Sequence, residues 1–315
     1  MKTAFVFPGQ GSQAVGMGKS LAESFAAARA VFAEVDEALG QRLSVLMWEG
    51  PEADLTLTEN AQPALMAVSM AVIRVLETEH GITVGGAASF VAGHSLGEYS
   101  ALAAAGTFTL ADAARLLKTR GLAMQSATPV GTGAMAALLG LDFATAAQAA
   151  AEAAQGEVCQ AANDNSDGQV VVSGSKAAVE RCAEIAKAKG AKRAVMLPVS
   201  APFHCALMQP AADVMAEALA KVEMKAPVVP VVANVGAAPL SDPAAIRESL
   251  VRQVTGTVRW RECMAYMAGH GVSRFYEIGA GKVLTGLSKK NAPEAAAFAV
   301  NSAEDIAAAA AQLKG

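Results

Sequence analysis

A chain of 315 residues has room for one large domain with an insert, or for two domains, and its 53% hydrophobic residues can fill a sizeable core. A formal net charge of −4 gives little support to a nucleic-acid partner. No apolar run reaches the ~18 residues of a membrane span, so no membrane association is expected.

Aromatic residues make up only 5%, which favours helices packed closely on a parallel sheet. The apolar stretch at residues 3–7 is too short for a signal peptide, so the cytosol is the expected compartment. Cys159, Cys182, Cys205 and Cys263 show no Cys-x-x-Cys spacing and read as buried or free thiols, not as a disulfide framework or a zinc site.

In chain order, residues 3–7 read as a first strand, followed by the loop Gly9-Gln10-Gly11-Ser12. Apolar residues at Leu21, Phe25, Phe32, Val35 and Leu39 predict one helical region over 17–39. A helix is expected over 61–79, with Asn60 as N-cap and Pro63 in its first turn. A strand over 87–92 and a helix over 98–105 flank Gly93-His94-Ser95-Leu96-Gly97. A further helix, 111–125, carries Arg115, Lys118 and Arg120.

Residues 128–133 read as a linker. Next come a strand (134–139), a helix (142–154), a strand (158–162), a turn, a strand (169–173), a helix (175–189) and a strand (191–197). This β-α-β-β-α-β order is the ferredoxin-like pattern and predicts a subdomain over 130–198, with 1–129 and 199–315 forming the larger domain. The remainder reads as a helix (206–221), a strand (228–234), helices (243–253 and 259–269), a strand (273–278), a short helix (284–287) and a closing strand and helix (297–313).

The pentapeptide at 93–97 is the most informative part of the chain. A serine flanked by glycines at −2 and +2, between strand and helix, is a nucleophile elbow. The turn is tight enough to exclude larger neighbours, and it sets Ser95 at a helix N-terminus, where partial positive charge favours a developing oxyanion. Ser95 is therefore the candidate nucleophile, and a serine needs a base to take its proton. Of four histidines, His94 adjoins the serine, but the turn should point its side chain elsewhere. His80 and His270 each precede a glycine near a helix end, where capping is the ordinary role. His204 lies in a proline-bounded irregular segment after a strand, which suits a catalytic loop.

No acid stands out as a third member. Glu98 is on the helix beyond the serine, and a backbone carbonyl can orient an imidazole equally well, so a Ser-His dyad is expected. Oxyanion donors are expected from the backbone N–H of Leu96 and from the first glycine loop, with Gln10 as contributor. That loop also fits a dinucleotide-binding pattern, but the acidic residue due about 20 positions later would be Asp36 or Glu37, inside a helix. Residues 16–20 end like a phosphate-binding loop but carry Gln13 where the first glycine belongs. Arg120 is open to two readings, a surface arginine or a bidentate clamp for a carboxylate.

Taken together, Phe7-Pro8-Gly9-Gln10-Gly11-Ser12-Gln13, Gly93-His94-Ser95-Leu96-Gly97-Glu98 and Ala201-Pro202-Phe203-His204 strongly resemble the malonyl-CoA:acyl carrier protein transacylases of bacterial fatty acid synthesis. The acyltransferase domains of polyketide synthases are similar. The resemblance covers essentially the whole chain. It implies an α/β-hydrolase-like core with a parallel sheet plus an inserted ferredoxin-like subdomain. It implies a malonyl ester on Ser95, with His204 as base and then acid, and an oxyanion hole from Gln10 and Leu96. Arg120 would grip the malonyl carboxylate, the Gln253 backbone carbonyl would orient the histidine, and Asn163 and Asn165 would contribute to the cleft. Leu96 and Phe203 look like the malonyl-selecting version, whereas Cys205 departs from the family's usual serine and suggests an oxidisable thiol. The implied partners are malonyl-CoA, coenzyme A and acyl carrier protein; no cofactor or metal is implied, and nothing demands more than a monomer. An acyltransferase supplying a polyketide synthase, a serine esterase or thioesterase, and a non-enzymatic dinucleotide-binding domain are the rival readings.

Overall fold

The computed structural model describes residues 2–199 and 201–314. The first strand, β1 (Lys2–Phe7), is buried from Thr3 onward. The helical region expected over 17–39 is two helices, α1 (Lys19–Ser24) and α2 (Ala26–Leu39), broken at Phe25, whose backbone is extended (φ −129°, ψ 123°). Leu21 before the break and Phe32 and Val35 after it bury in one core, so the apolar spacing runs on through the interruption. Two short helices that the sequence did not signal, α3 (Leu43–Glu49) and α4 (Glu52–Thr56), lead to α5 (Thr58–His80).

Helix α5 starts earlier than expected, and Asn60 is not its cap. Asn60 instead donates to the Asp54 carbonyl and accepts from Lys118, which ties the helix start to α4 and to the next long helix. Thr83 caps a one-turn helix, α6 (Val84–Ala87), so the following strand, β2 (Phe90–Gly93), begins later than expected. It runs directly into the elbow and α7 (Gly97–Ala104), followed by α8 (Leu110–Ser126).

The next elements are β3 (Gly133–Leu139), α9 (Phe143–Ala154), β4 (Cys159–Ser166), β5 (Gln169–Ser175), α10 (Lys176–Ala188) and β6 (Arg193–Met196). These strands form an antiparallel sheet in the order β4-β5-β3-β6, with a small core of its own built on residues such as Leu138, Ala149, Val172 and Val179. Strand β4 extends past the expected end at 162, so Asn163 and Asn165 lie on a strand and not in a turn. Its pairing with β5 shifts register between Ala161 and Asn163 and between Asp164 and Ser166; such bulges redirect side chains.

The chain closes with α11 (Gln209–Ala220), β7 (Val231–Ala233), β8 (Ala238–Leu240), α12 (Pro243–Thr255), α13 (Trp260–Gly269), β9 (Val272–Ile278), α14 (Val283–Asn291), β10 (Ala296–Val300) and α15 (Ala303–Lys314). A larger sheet runs β10-β9-β1-β2-β7-β8, parallel except for β8. Because β1, β2 and β7 run the same way, the loops after all three open on one edge, where ligands bind in parallel α/β sheets.

The two sheets meet at β4. The Asp164 N–H donates to the Val258 carbonyl at 2.9 Å and the Val258 N–H to the Ala162 carbonyl at 2.8 Å. Arg261 pairs with Asp164 at 2.8 Å, and Asn291 Nδ2 donates to the Asn165 carbonyl at 2.8 Å. No helix of the described residues is long and apolar enough to cross a membrane.

Candidate active site

The turn between β2 and α7 has room only for glycine on either side of Ser95. A Cβ on Gly93 would meet the Gly97 carbonyl oxygen at 1.8 Å, and one on Gly97 would meet the Phe7 carbonyl oxygen at 2.2 Å. Ser95 itself takes the left-handed backbone (φ 54°) that a side chain disfavours. Asn234, just after β7, holds it there: Oδ1 accepts from the Ser95 N–H at 2.8 Å, and Nδ2 donates to the Gly93 carbonyl at 2.8 Å. Strain in the nucleophile turn is thus balanced by a side chain from the neighbouring parallel strand.

Ser95 Oγ lies 2.7 Å from His204 Nε2, although 109 positions separate the two residues. His204 Nδ1 lies 2.9 Å from the Gln253 backbone carbonyl. A carbonyl only accepts, so Nδ1 carries the hydrogen and Nε2 is left bare to accept the serine proton. Burial, and then the charge of Arg120, push the His204 pKa down to about 3, which keeps the ring neutral and ready to act as a base. Glu98 does not touch the imidazole; its Oε2 accepts from the Asn234 N–H and from Gln253 Nε2.

The two readings of Arg120 are decided by its burial, at 1% exposure. Nη1 donates to Gln62 Oε1 at 2.8 Å, while Nη2 donates to Gln253 Oε1 at 2.8 Å and reaches Ser95 Oγ at 3.2 Å. The guanidinium carbon stands 5.7 Å from the Tyr99 ring centre. Gln10, Ser95, Leu96, Arg120, Asn163, Phe203 and His204 all line one cavity of about 370 Å³. The loop after β1 lies flat against the elbow because Gly9 lacks a side chain; a Cβ there would meet the His94 carbonyl oxygen at 2.7 Å. Neither the Gln10 nor the Leu96 N–H has a backbone acceptor among the described residues, so both stand available at the cavity.

The His94 side chain turns away from the serine as expected: although it lines the cavity, it packs against Trp260 with ring centres 5.6 Å apart and donates from Nε2 to Asn165 Oδ1 at 2.7 Å. Two expectations need correction. Asn165 consequently sits behind His94 instead of in the cavity wall. Cys205 is fully buried, and its thiol donates to the Pro202 carbonyl at 3.2 Å, so the oxidisable-thiol reading fails; burial also raises its pKa. His270 Nδ1 donates to the Tyr266 carbonyl at the end of α13, and His80 ends α5. Asp36 accepts from the Ser44 N–H and hydroxyl, and both Asp36 and Glu37 lie inside α2, so neither ends a second strand as the dinucleotide reading requires.

Sequence reasoning missed Asn234, Gln62 and Thr58. Gln10 Oε1 accepts from the Thr58 hydroxyl, which accepts from Gln62 Nε2, and Gln62 in turn holds Arg120. Only Asn234 carried a usable signal, as a polar residue at the carboxyl end of an expected core strand.

Sheet, elbow and dyad together define an enzyme of the serine-nucleophile acyl-transfer class. A family model for the acyl transferase domain matches residues 4–309. The malonyl CoA-acyl carrier protein transacylase of Escherichia coli K12 is 51% identical over 97% of this chain and 98% of that protein. The crystal structure of an acyl-carrier-protein S-malonyltransferase from Bartonella henselae superposes with a TM-score of 0.98, at 57% identity over the full length of both chains. A malonyl-transacylase solved in complex with its type II PKS acyl-carrier protein matches with a TM-score of 0.95 and 46% identity, over 99% of this chain and 100% of that one. The chain belongs to the acyl transferase domain family, among its malonyl CoA-acyl carrier protein transacylases.

Proposed function

We propose that the chain moves a malonyl group from malonyl-CoA to the phosphopantetheine thiol of acyl carrier protein, supplying extender units for fatty acid synthesis. The observation that carries this reading is the buried Arg120, whose Nη2 is 3.2 Å from Ser95 Oγ. A fixed cation beside a nucleophile selects an acyl group that ends in a carboxylate. An esterase for neutral esters has no use for one.

In this reading His204 Nε2 takes the hydroxyl proton as Ser95 Oγ attacks the thioester carbonyl. The N–H groups of Gln10 and Leu96 hold the oxyanion, with Leu96 also receiving the helix N-terminal field of α7. Coenzyme A leaves as its sulfur accepts the proton from the imidazolium. The carrier thiol then gives a proton to His204, attacks the malonyl ester, and Ser95 is reprotonated as the product departs. Asn163 and Phe203 shape the cavity wall around the acyl group, and Asn165 acts on it through His94. Residues 130–198 serve as the subdomain that closes the cleft over the larger domain. The enzyme works in the cytosol as a monomer and without a cofactor.

Product analysis tests the reading. Incubation with malonyl-CoA and carrier protein is expected to yield malonyl carrier protein as the main product; free malonate as the main product would favour a thioesterase.

Acyl carrier proteins are acidic, so a basic docking face is expected. Lys187 and Lys189 are engaged by Glu184 at 2.7 Å and Glu152 at 2.9 Å, which leaves Lys192, Arg193, Lys289 and Lys290 exposed. The value of kcat/KM for carrier protein is expected to fall steeply with salt, and charge reversal at these four positions should flatten that dependence. An unchanged salt profile in the reversed variant would reject these two basic clusters as docking sites.

A further inference from the structure

Glu98, in the first turn of α7, is 1% exposed and lies beneath both halves of the catalytic pair. Its Oε2 accepts from the Asn234 N–H at 2.9 Å and from Gln253 Nε2 at 3.1 Å. Each partner holds one half of the dyad. Asn234 fixes the strained elbow through the Ser95 N–H and the Gly93 carbonyl. Gln253 donates from Nε2 to the Ser95 carbonyl at 2.9 Å, and its own backbone carbonyl receives His204 Nδ1.

A carboxamide can turn over, and what surrounds it decides which end faces which way. Arg120, which can only donate, holds Gln253 Oε1 at 2.8 Å. In its ionised form the Glu98 carboxylate, which can then only accept, holds Nε2 at 3.1 Å. The Gln253 side chain is therefore clamped between a buried cation and a buried anion. A protonated Glu98 would offer a hydrogen of its own to that network and loosen the clamp. The same carboxylate and the buried Arg120 guanidinium favour each other's charge across Gln253, and a cation buried before any substrate carboxylate arrives needs a counter-charge.

We propose that the Glu98 carboxylate is a positioning residue for acyl transfer, setting the His204 imidazole and the Ser95 elbow through Gln253 and Asn234 and balancing Arg120 while the cleft is empty. This rests on the transferase reading above. A merely structural glutamate would affect folding without imposing its own titration on the rate. Burial pushes the Glu98 pKa up to about 7, against the opposing pull of Asn234, Gln253 and Arg120. The other titratable groups around it are Tyr99 on α7 and Cys263 on α13, both pushed upward by burial, and His204, held at about 3. None of these three changes charge near neutral pH, and burial holds His94, which lines the same cavity, below its ordinary value; a rate step there that Glu98→Gln removes reports Glu98.

The test is the pH profile of kcat for malonyl transfer in the native enzyme, Glu98→Gln and Glu98→Asp, with thermal melting measured at each pH. The native profile is expected to rise through about 7 while the protein stays folded. Glu98→Gln should lose about 10²-fold in kcat, with a flat profile over the same range and a malonyl-CoA KM within about twofold of native. Glu98→Asp should recover part of the rate and the rising limb. A native profile without that limb overturns the proposal even if no variant folds. A folded Glu98→Gln that keeps the native rate, or keeps the limb, overturns it as well. Malonyl transfer by the native enzyme, scored separately, tells a failure of this proposal from a failure of the transferase reading.

Discussion

Arg120→Ala is expected to cost about 10³-fold in kcat/KM for malonyl-CoA and far less for acetyl-CoA. The guanidinium is already desolvated and held by Gln62 and Gln253, so it grips an incoming carboxylate with little loss of side-chain freedom. Without it, the malonyl carboxylate would enter a cavity with no positive charge to receive it, while the carbonyl oxygens of Gln62 and Gln253 would lose their donor. An acetyl group carries no carboxylate and is spared the first of these costs. The deletion also lifts a cation from beside His204, which makes the imidazole a stronger base. Steady-state transfer from malonyl-CoA and acetyl-CoA checks this, and equal losses on both substrates would remove the clamp role.

The second large effect is on the nucleophile. Ser95→Ala should abolish the covalent malonyl adduct seen by intact-protein mass spectrometry and lower transfer by about 10⁴-fold or more. His204→Ala should approach the same loss, because the hydroxyl 2.7 Å away then has no base to accept its proton. Residues that act as one unit are not additive, so the double variant should be hardly slower than Ser95→Ala. A labelled ester that persists in Ser95→Ala would point to a different nucleophile.

The elbow was legible because its rule is local: small residues at fixed offsets, with apolar runs on both sides. The order of strands and helices over 134–197 was legible for the same reason, since each element carries its own period. What failed was whatever depended on distant partners. The break at Phe25 was hidden because the core on both sides of it is continuous. Asn60 resembles a cap, but its side chain is bound by Lys118 and the Asp54 carbonyl. The burial of Arg120 rests on Gln62 and Gln253, which lie 58 and 133 positions away, and no pattern within α8 could reveal it. Asn163 and Asn165 lie on β4 past the expected strand end at 162, at positions where its pairing with β5 shifts register, a feature set by the partner strand.

The seam between the two sheets bears on how this enzyme can be altered. One wall of the acyl chamber belongs to the antiparallel unit, the other to the parallel one, and their alignment is keyed by Val258, Arg261 and Asn291 against the last residues of β4. Grafting the smaller unit from a relative therefore transplants half of a lock. The foreign piece will seat in register only if the complementary stretch around 257–261 and position 291 travels with it.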